Sequence, residues 1–118
     1  MGDINGDIDQ TTFQQVGRLL GAERAAEMLG LLRGTLTALA DMTDDDLRGP
    51  AGLAGVHRLK SEAGLMGFGR VSQACEAVDA VGTNGSVPQG RLDDLRAAMT
   101  SALATVATLG PNPGRPTL

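Results

Sequence analysis

The single histidine and the single lysine of this chain stand three residues apart, in the stretch VHRLKSEAGLMGFG over 56–69. An exposed imidazole is mostly uncharged at pH 7, and a neighbouring ammonium further disfavours its protonated form. Because an uncharged imidazole is a nucleophile, His57 is a candidate acceptor of an electrophilic group. A phosphoryl group fits this pairing, since Lys60 would meet its roughly two negative charges and three acceptor oxygens.

The helix expected around His57 directs its ring outward. On a wheel of about 100° per residue, the mean direction of the apolar residues of this helix lies roughly 145° from His57. These apolar residues are Val56, Leu59, Ala63 and Met66. Lys60, Ser61 and Gly64 lie within about 60° of His57, because residues three, four and seven apart share a helix face. We therefore expect all four residues on one exposed face.

Two residues of this face have roles that the pattern leaves open. Ser61 could add a hydroxyl beside the phosphoryl group. Gly64 costs about 1 kcal/mol relative to alanine inside a helix, so a specific reason for a glycine is expected. Either the missing side chain leaves space for a partner beside His57, or it permits close contact between helices.

The apolar periodicity predicts an all-α fold, an antiparallel four-helix bundle with a short extra N-terminal helix. The short helix spans 12–20, with Thr11 and Gln14 at capping-box spacing and with Phe13, Val16, Leu19 and Leu20 as its apolar face. Four long helices follow. The first covers about 22–42, and the second begins at Asp44 or afresh at Pro50 and ends near 66. The third covers about 71–81 and the fourth 89–109. Gly67 and Gly69 form one connection, residues 82–86 form a loop, and Ser86 with Gln89 forms a second capping box. This predicts a flexible N-terminus over 1–11, one domain over 12–109 and a disordered tail over 110–118.

Composition excludes several classes of function. The net charge is −4, and the sequence lacks the basic block interleaved with aromatics that would indicate a nucleic-acid partner. No segment approaches the roughly 20 apolar residues of a membrane span, and the acidic start lacks the features of a secretory leader, so we expect a cytoplasmic protein. The lone Cys75 cannot form an internal disulfide and is expected to be a small buried hydrophobe. His57 has no second histidine or cysteine with which to bind a metal.

The residues around His57 resemble the histidine-containing phosphotransfer (HPt) domain of bacterial two-component phosphorelays. The family pattern reads roughly His-x-Leu-Lys-Gly/Ser-x-Ala-x-x-Leu/Met-Gly, followed by an apolar residue, a frequent cysteine, a second apolar residue and an acid. The matching residues are His57, Leu59, Lys60, Ser61, Ala63, Met66, Gly67, Val71, Cys75, Val78 and Asp79, and Gly64 stands at another position where the family commonly has glycine. Ser61 stands where glycine is commoner, and Asp79 where glutamate is commoner.

The resemblance implies a phosphocarrier and not an enzyme. His57 would carry the phosphoryl group, Lys60 would orient and neutralise it, and Gly64 with Arg58 would belong to an open docking face. The partners would be response-regulator receiver domains and a hybrid sensor histidine kinase. The chain would have no cofactor of its own, because the receiver supplies the aspartate and Mg²⁺, and we expect a monomer.

Two alternatives remain. One is the dimerisation and phosphoacceptor domain of a sensor histidine kinase, whose motif is His-Glu/Asp-Leu-Arg/Lys-Thr/Asn-Pro. In this chain Arg58 stands at the position of the acid and Glu62 at that of the proline, and no Gly-rich ATP-binding segment follows. The other alternative is a structural bundle in which His57 has no chemical role.

Overall fold

The computed structural model describes residues 9–82 and 86–109, and every regular element within these ranges is a helix. The helices are α1 (Gln10–Leu20), α2 (Ala22–Ala40), α3 (Asp44–Arg48), α4 (Pro50–Met66), α5 (Gly69–Gly82) and α6 (Gln89–Leu109). The predicted all-α fold is confirmed. Residues 1–8 of the predicted flexible N-terminus lie outside the described residues, and its last two residues, 10 and 11, are helical in α1. Residues 83–85 of the predicted loop also lie outside them, and Gly82 ends α5. The predicted tail over 110–118 lies wholly outside the described residues.

Neither predicted capping box forms. α1 begins earlier than expected, and the side chain of Asp9 accepts hydrogen bonds from the backbone N–H groups of Thr11 and Thr12 at 3.0 and 3.3 Å. An aspartate before a helix satisfies these otherwise unpaired donors as well as threonine does. At α6 the first helical residue is Gln89 itself, and its side chain bonds to Asp44 and Asp93 instead of to its own helix start.

The segment after α2 contains both of the helix starts that the sequence left open. Thr43 caps the short α3, because its hydroxyl accepts a hydrogen bond from the N–H of Asp46 at 3.1 Å. Gly49 is extended, and α4 begins at Pro50. Proline has no N–H to donate and is accepted in the first turn of a helix, so the chain starts a new helix here instead of continuing α3.

The connection between α4 and α5 is a tight turn around Gly67. Gly67 has φ +90°, and the N–H of Phe68 donates to the carbonyl of Ala63 at 2.8 Å, which is the bond pattern of a Schellman motif. A side chain at Gly67 would also meet the carbonyl oxygen of Asp9 at 2.9 Å. Phe68 is fully buried, so this turn also contributes an aromatic ring to the core.

The core lies between four long helices: α4 packs on α2 and α5, and α6 packs on α5 and α2. The buried apolar residues of these helices include Leu29, Leu32, Leu36, Val56, Leu59, Met66, Val71, Val78, Leu92, Leu95 and Met99. Fully burying each leucine contributes about 1.5–3 kcal/mol relative to exposure. No described helix combines the length and the hydropathy that are needed to cross a membrane.

α1 packs on α2 and α4 with a narrower apolar face than predicted. Val16 is buried and Phe13 is half-buried, but Leu19 and Leu20 are 83% and 44% exposed. The backbone N–H of Asp9 donates to the carbonyl of Gly67 at 2.6 Å, which holds the start of α1 at the end of α4. The leucines at the other end of α1 therefore lie away from the core.

Candidate functional site

His57 lies on the outer face of α4, and its side chain is 66% exposed, as the helical wheel predicts. Its Nδ1 atom is 3.0 Å from Oδ2 of Asp79, which lies on the neighbouring helix α5. Within the described ranges no other hydrogen bond to the ring is present. The ring is therefore anchored through one nitrogen, and Nε2 is open to solvent.

Lys60 lies one turn after His57 and reaches the same carboxylate. Its Nζ donates to Oδ2 of Asp79 at 3.1 Å, so one oxygen atom is shared by the imidazole and the ammonium. The sequence predicts an exposed Lys60, but its side chain is only 29% exposed. The difference arises because Lys60 leans toward α5, where Asp79 provides a partner of opposite charge.

The charge of Asp79 determines how the imidazole is oriented. Hydrogen bonds from His57 and then from Lys60 lower the pKa of Asp79 below its ordinary value, despite an opposing contribution from burial. Asp79 is thus ionised at neutral pH, and an ionised carboxylate can only accept hydrogen bonds. It follows that Nδ1 carries the proton in this contact. In the uncharged ring Nε2 then holds the lone pair and faces outward.

Contact between α4 and α5 near Lys60 sets the geometry of this site. The hydroxyl of Ser72 on α5 donates to the backbone carbonyl of Lys60 at 3.1 Å. Gly64 is exposed, but a Cβ atom added there would lie 3.3 Å from the Ser72 hydroxyl oxygen. Of the two roles left open for Gly64, this distance supports close contact between helices.

The remaining predicted site residues are exposed on α4. Ser61 and Arg58 are both exposed, and neither makes a hydrogen bond or ion pair with the described part of the chain. Glu62, five residues after His57, is half-buried, and its Oε1 atom is buried without a hydrogen-bond partner in residues 9–82 and 86–109. It forms neither a hydrogen bond nor an ion pair with the imidazole in these ranges.

Cys75 is fully buried one turn before Asp79, as expected of a small hydrophobe. Loss of solvation raises the pKa of its thiol to about 12, so it is not a reactive thiolate at neutral pH. In the described ranges, no three or more His, Cys, Asp and Glu side chains form a group that could hold a metal ion.

The principal residue that sequence reasoning missed is Asp79. It is the last residue of the HPt-like motif, but the motif does not indicate that the Asp79 carboxylate contacts both His57 and Lys60. The contact spans 22 residues and depends on how α5 is rotated about its axis against α4. One signal is available in the sequence: Ser72 and Asp79 are seven residues apart and share the face of α5 that meets α4.

Comparison of the chain with protein-family models, with curated proteins and with solved structures found no match. Functional inference therefore depends on the residues and geometry of this site.

Proposed function

We propose that this protein is an HPt-type phosphocarrier, in which His57 accepts a phosphoryl group from the aspartate of one receiver domain and passes it to another. In this proposal α2, α4, α5 and α6 form an antiparallel four-helix bundle, with the short α1 packed at one end. Short connections between helices that are neighbours both in sequence and in space support this arrangement. The domain would span 12–109 and act as a cytoplasmic monomer.

The transfer step follows from the orientation of the imidazole. The lone pair on Nε2 attacks the phosphorus atom of the aspartyl phosphate, an N–P bond forms, and the bond from phosphorus to the acyl oxygen breaks. The aspartate leaves as a carboxylate, and Nδ1 keeps its proton. Because the ring becomes positively charged as the N–P bond forms, the Asp79 carboxylate at 3.0 Å stabilises the product. The reverse step returns the group to a second receiver.

Lys60 is the candidate counter-charge for the transferred group. Its ammonium lies 3.1 Å from Asp79, one turn from His57, on a flexible stem with three donor hydrogens. It can therefore turn part of its hydrogen bonding toward phosphoryl oxygens without leaving the site. Ser61, exposed on the next turn, is a candidate second donor.

The partner supplies the remaining chemistry. In-line phosphoryl transfer depends on positioning and on stabilisation of charge at the transferring group. The receiver domain would contribute its aspartate and Mg²⁺, and a hybrid sensor histidine kinase would be the source of phosphate. The carrier itself would be neither an enzyme nor an ATP-binding protein.

The observation that carries this proposal is the shared oxygen of Asp79. A surface histidine without a chemical role would not require an ionised partner. A salt bridge between Lys60 and Asp79 that served only stability would not require an imidazole. Here one carboxylate oxygen fixes the exposed imidazole through Nδ1 and holds the only lysine of the chain beside it. This is the arrangement expected for a nucleophilic Nε2 with a nearby cation.

The test uses untagged protein, because affinity-tag histidines would themselves take up phosphate. Purified receiver domains from the same organism are labelled on aspartate with ³²P-acetyl phosphate and mixed one by one with wild type and with His57→Gln. We expect rapid transfer to wild type as an acid-labile, alkali-stable label. The variant should fold with unchanged stability, within about 0.5 kcal/mol, and take up no label.

Two results would contradict the proposal. If no receiver domain transfers phosphate to wild type, the bundle has a structural role. If wild type labels itself on His57 with ATP alone, the chain belongs to the sensor-kinase class.

A further inference from the structure

Ser72 uses its hydroxyl between two helices instead of within its own helix. Hydroxyl side chains inside helices often donate to the carbonyl four residues back, and Thr35 in α2 and Thr105 in α6 do so. Ser72 on α5 donates instead to the backbone carbonyl of Lys60 on α4, at 3.1 Å. This bond joins the two helices at a defined point.

Lys60 is thereby bound to α5 at two places. Its backbone carbonyl accepts from Ser72, and its ammonium donates to Asp79. Ser72 and Asp79 are seven residues apart, so they lie about 10 Å apart along α5 and only about 20° apart around it. Two contacts at this spacing fix both the rotation of α5 and its position along its axis relative to α4.

The contact with the imidazole depends on this rotation. Oδ2 of Asp79 accepts from Nδ1 of His57 at 3.0 Å and from Nζ of Lys60 at 3.1 Å. The carboxylate of a helical residue lies about 5–6 Å from the helix axis, so a rotation of α5 by about 20° moves it by about 2 Å. A shift of this size takes both hydrogen bonds beyond their working distance.

The apolar face of α5 constrains this rotation less sharply. Val71, Cys75 and Val78 are fully buried, but hydrophobic burial is not directional, whereas a hydrogen bond requires a defined distance and angle. Gly64 leaves the room for the close approach, because a Cβ atom there would lie 3.3 Å from the hydroxyl oxygen of Ser72. The Ser72 bond therefore adds a directional constraint that the core residues do not supply.

We propose that Ser72 is a positioning residue for phosphoryl transfer, because its hydroxyl holds α5 in the rotation that keeps the Asp79 carboxylate on Nδ1 of His57. Without this bond α5 samples other rotations, and an imidazole released from Asp79 can carry its proton on either nitrogen. A ring that is protonated on Nε2 has no lone pair there to attack phosphorus. This inference rests on the proposed function and adds to it a residue that acts through Asp79.

The first measurement needs no partner. In protein labelled with ¹⁵N-histidine, the neutral ring of wild type should carry its proton on Nδ1, and that of Ser72→Ala should show both protonation forms. Ser72→Thr keeps the hydroxyl and should restore the wild-type spectrum. Thr105→Val is the matched control, because it removes a part-buried hydroxyl whose bond to a carbonyl is also 3.1 Å long but lies within α6. The control should leave the imidazole signals unchanged.

The second measurement is transfer from the receiver domain that labels wild type fastest. Ser72→Ala should lower the rate at saturating receiver about threefold with KM unchanged, because the defect lies in orientation and not in binding. In an Asp79→Asn background, Ser72→Ala should cause no further slowing, since the two residues act through one contact.

A small phosphodonor reports which nitrogen reacts. Phosphoramidate transfers its phosphoryl group to an imidazole nitrogen: the new N–P bond forms, the original P–N bond breaks, and ammonia leaves. It should label only Nε2 of wild type and of Thr105→Val, and both ring nitrogens of Ser72→Ala.

Three results would overturn the inference and leave the phosphocarrier proposal intact. The wild-type spectrum in Ser72→Ala would show that the hydroxyl does not orient the ring. Equal slowing by Ser72→Ala in the wild-type and Asp79→Asn backgrounds would show that it acts by another route. An equal effect of Thr105→Val would assign the change to general stability. If no receiver domain labels wild type, the phosphocarrier proposal itself fails, and the positioning role fails with it.

Discussion

Asp44 and Asp79 each accept hydrogen bonds from basic side chains, but the two clusters have different geometries. Around Asp44, Arg96 donates to the carboxylate and also to the backbone carbonyls of Ala40 and Met42. Gln89 binds the other carboxylate oxygen at 2.8 Å. Around Asp79, the imidazole of His57 and the ammonium of Lys60 converge on one oxygen.

The difference between the two clusters separates a structural role from a chemical one. Arg96 donates to backbone carbonyls at and just after the end of α2, where carbonyls lack helical partners, and to the Asp44 carboxylate at the start of α3, so this cluster fixes helices. At Asp79 the imidazole keeps one nitrogen exposed, and Lys60 has donor hydrogens beyond the one that Asp79 accepts. Of the two clusters, only the one at Asp79 therefore keeps a nucleophilic nitrogen and donor hydrogens that can take part in a reaction.

Removing Arg96 should cause the largest loss of stability. Arg96→Ala leaves two backbone carbonyls without their donor, so we expect the free energy of unfolding to fall by about 2 kcal/mol in urea titrations. Arg33→Ala is the matched control, because Arg33 is exposed and makes no hydrogen bond or ion pair in the described chain. Phosphate uptake by the folded Arg96→Ala protein should be unchanged. Slower uptake would show that the two clusters are coupled.

Neutralising Asp79 should slow transfer much more than it lowers stability. Asp79→Asn removes the charge that stabilises the imidazole and frees its orientation, so we expect phosphate uptake from a receiver domain to slow by about tenfold or more. Glu76→Gln, an exposed carboxylate on the same helix, should have no effect. An unchanged rate for Asp79→Asn, measured at saturating receiver, would remove Asp79 from the mechanism.

Acid should weaken both clusters in the same direction. Hydrogen bonds from Gln89 and Arg96 lower the pKa of Asp44, and those from His57 and Lys60 lower the pKa of Asp79. A lowered folded-state pKa contributes stability that is present above the unfolded value near 4 and is lost as pH falls through the folded value. The stability difference between wild type and Asp44→Asn should therefore shrink between about pH 5 and pH 2. A difference independent of pH would contradict this linkage.

Gly64 gives the smallest and most specific effect. Gly→Ala inside an exposed helix stabilises by about 0.5–1 kcal/mol, and Gly30→Ala should do so because no atom lies within 4 Å of the new Cβ. For Gly64→Ala we expect almost no gain, since the Cβ would lie 3.3 Å from the Ser72 hydroxyl. In a Ser72→Ala background the gain should reappear. An equal gain in both backgrounds would contradict the contact between these two residues.

The fold was predictable where periodic apolar residues decide it. Leu32, Leu59 and Leu95 are buried because their spacing places them on one side of their helices. The predictions were wrong where several local partners compete. Asp9 caps α1 in place of Thr11, and Leu19 is 83% exposed although its spacing groups it with the buried Val16.

The site was predictable along one helix but not between helices. The exposure of His57 follows from the wheel of α4 alone. The partial burial of Lys60 and the role of Asp79 follow from the rotation of α5 against α4, which no spacing within one helix reveals. For the same reason the sequence left the role of Gly64 open until Ser72 was located opposite it.

The most direct test is an NMR measurement on protein labelled with ¹⁵N-histidine, in which His57 gives the only imidazole signals. Before phosphorylation, the proton should be bound to Nδ1 and the lone pair should be on Nε2. After incubation with a phosphorylated receiver domain, the Nε2 signal should shift and couple to ³¹P. Phosphate on Nδ1, or an unchanged imidazole spectrum with every receiver domain, would contradict the account.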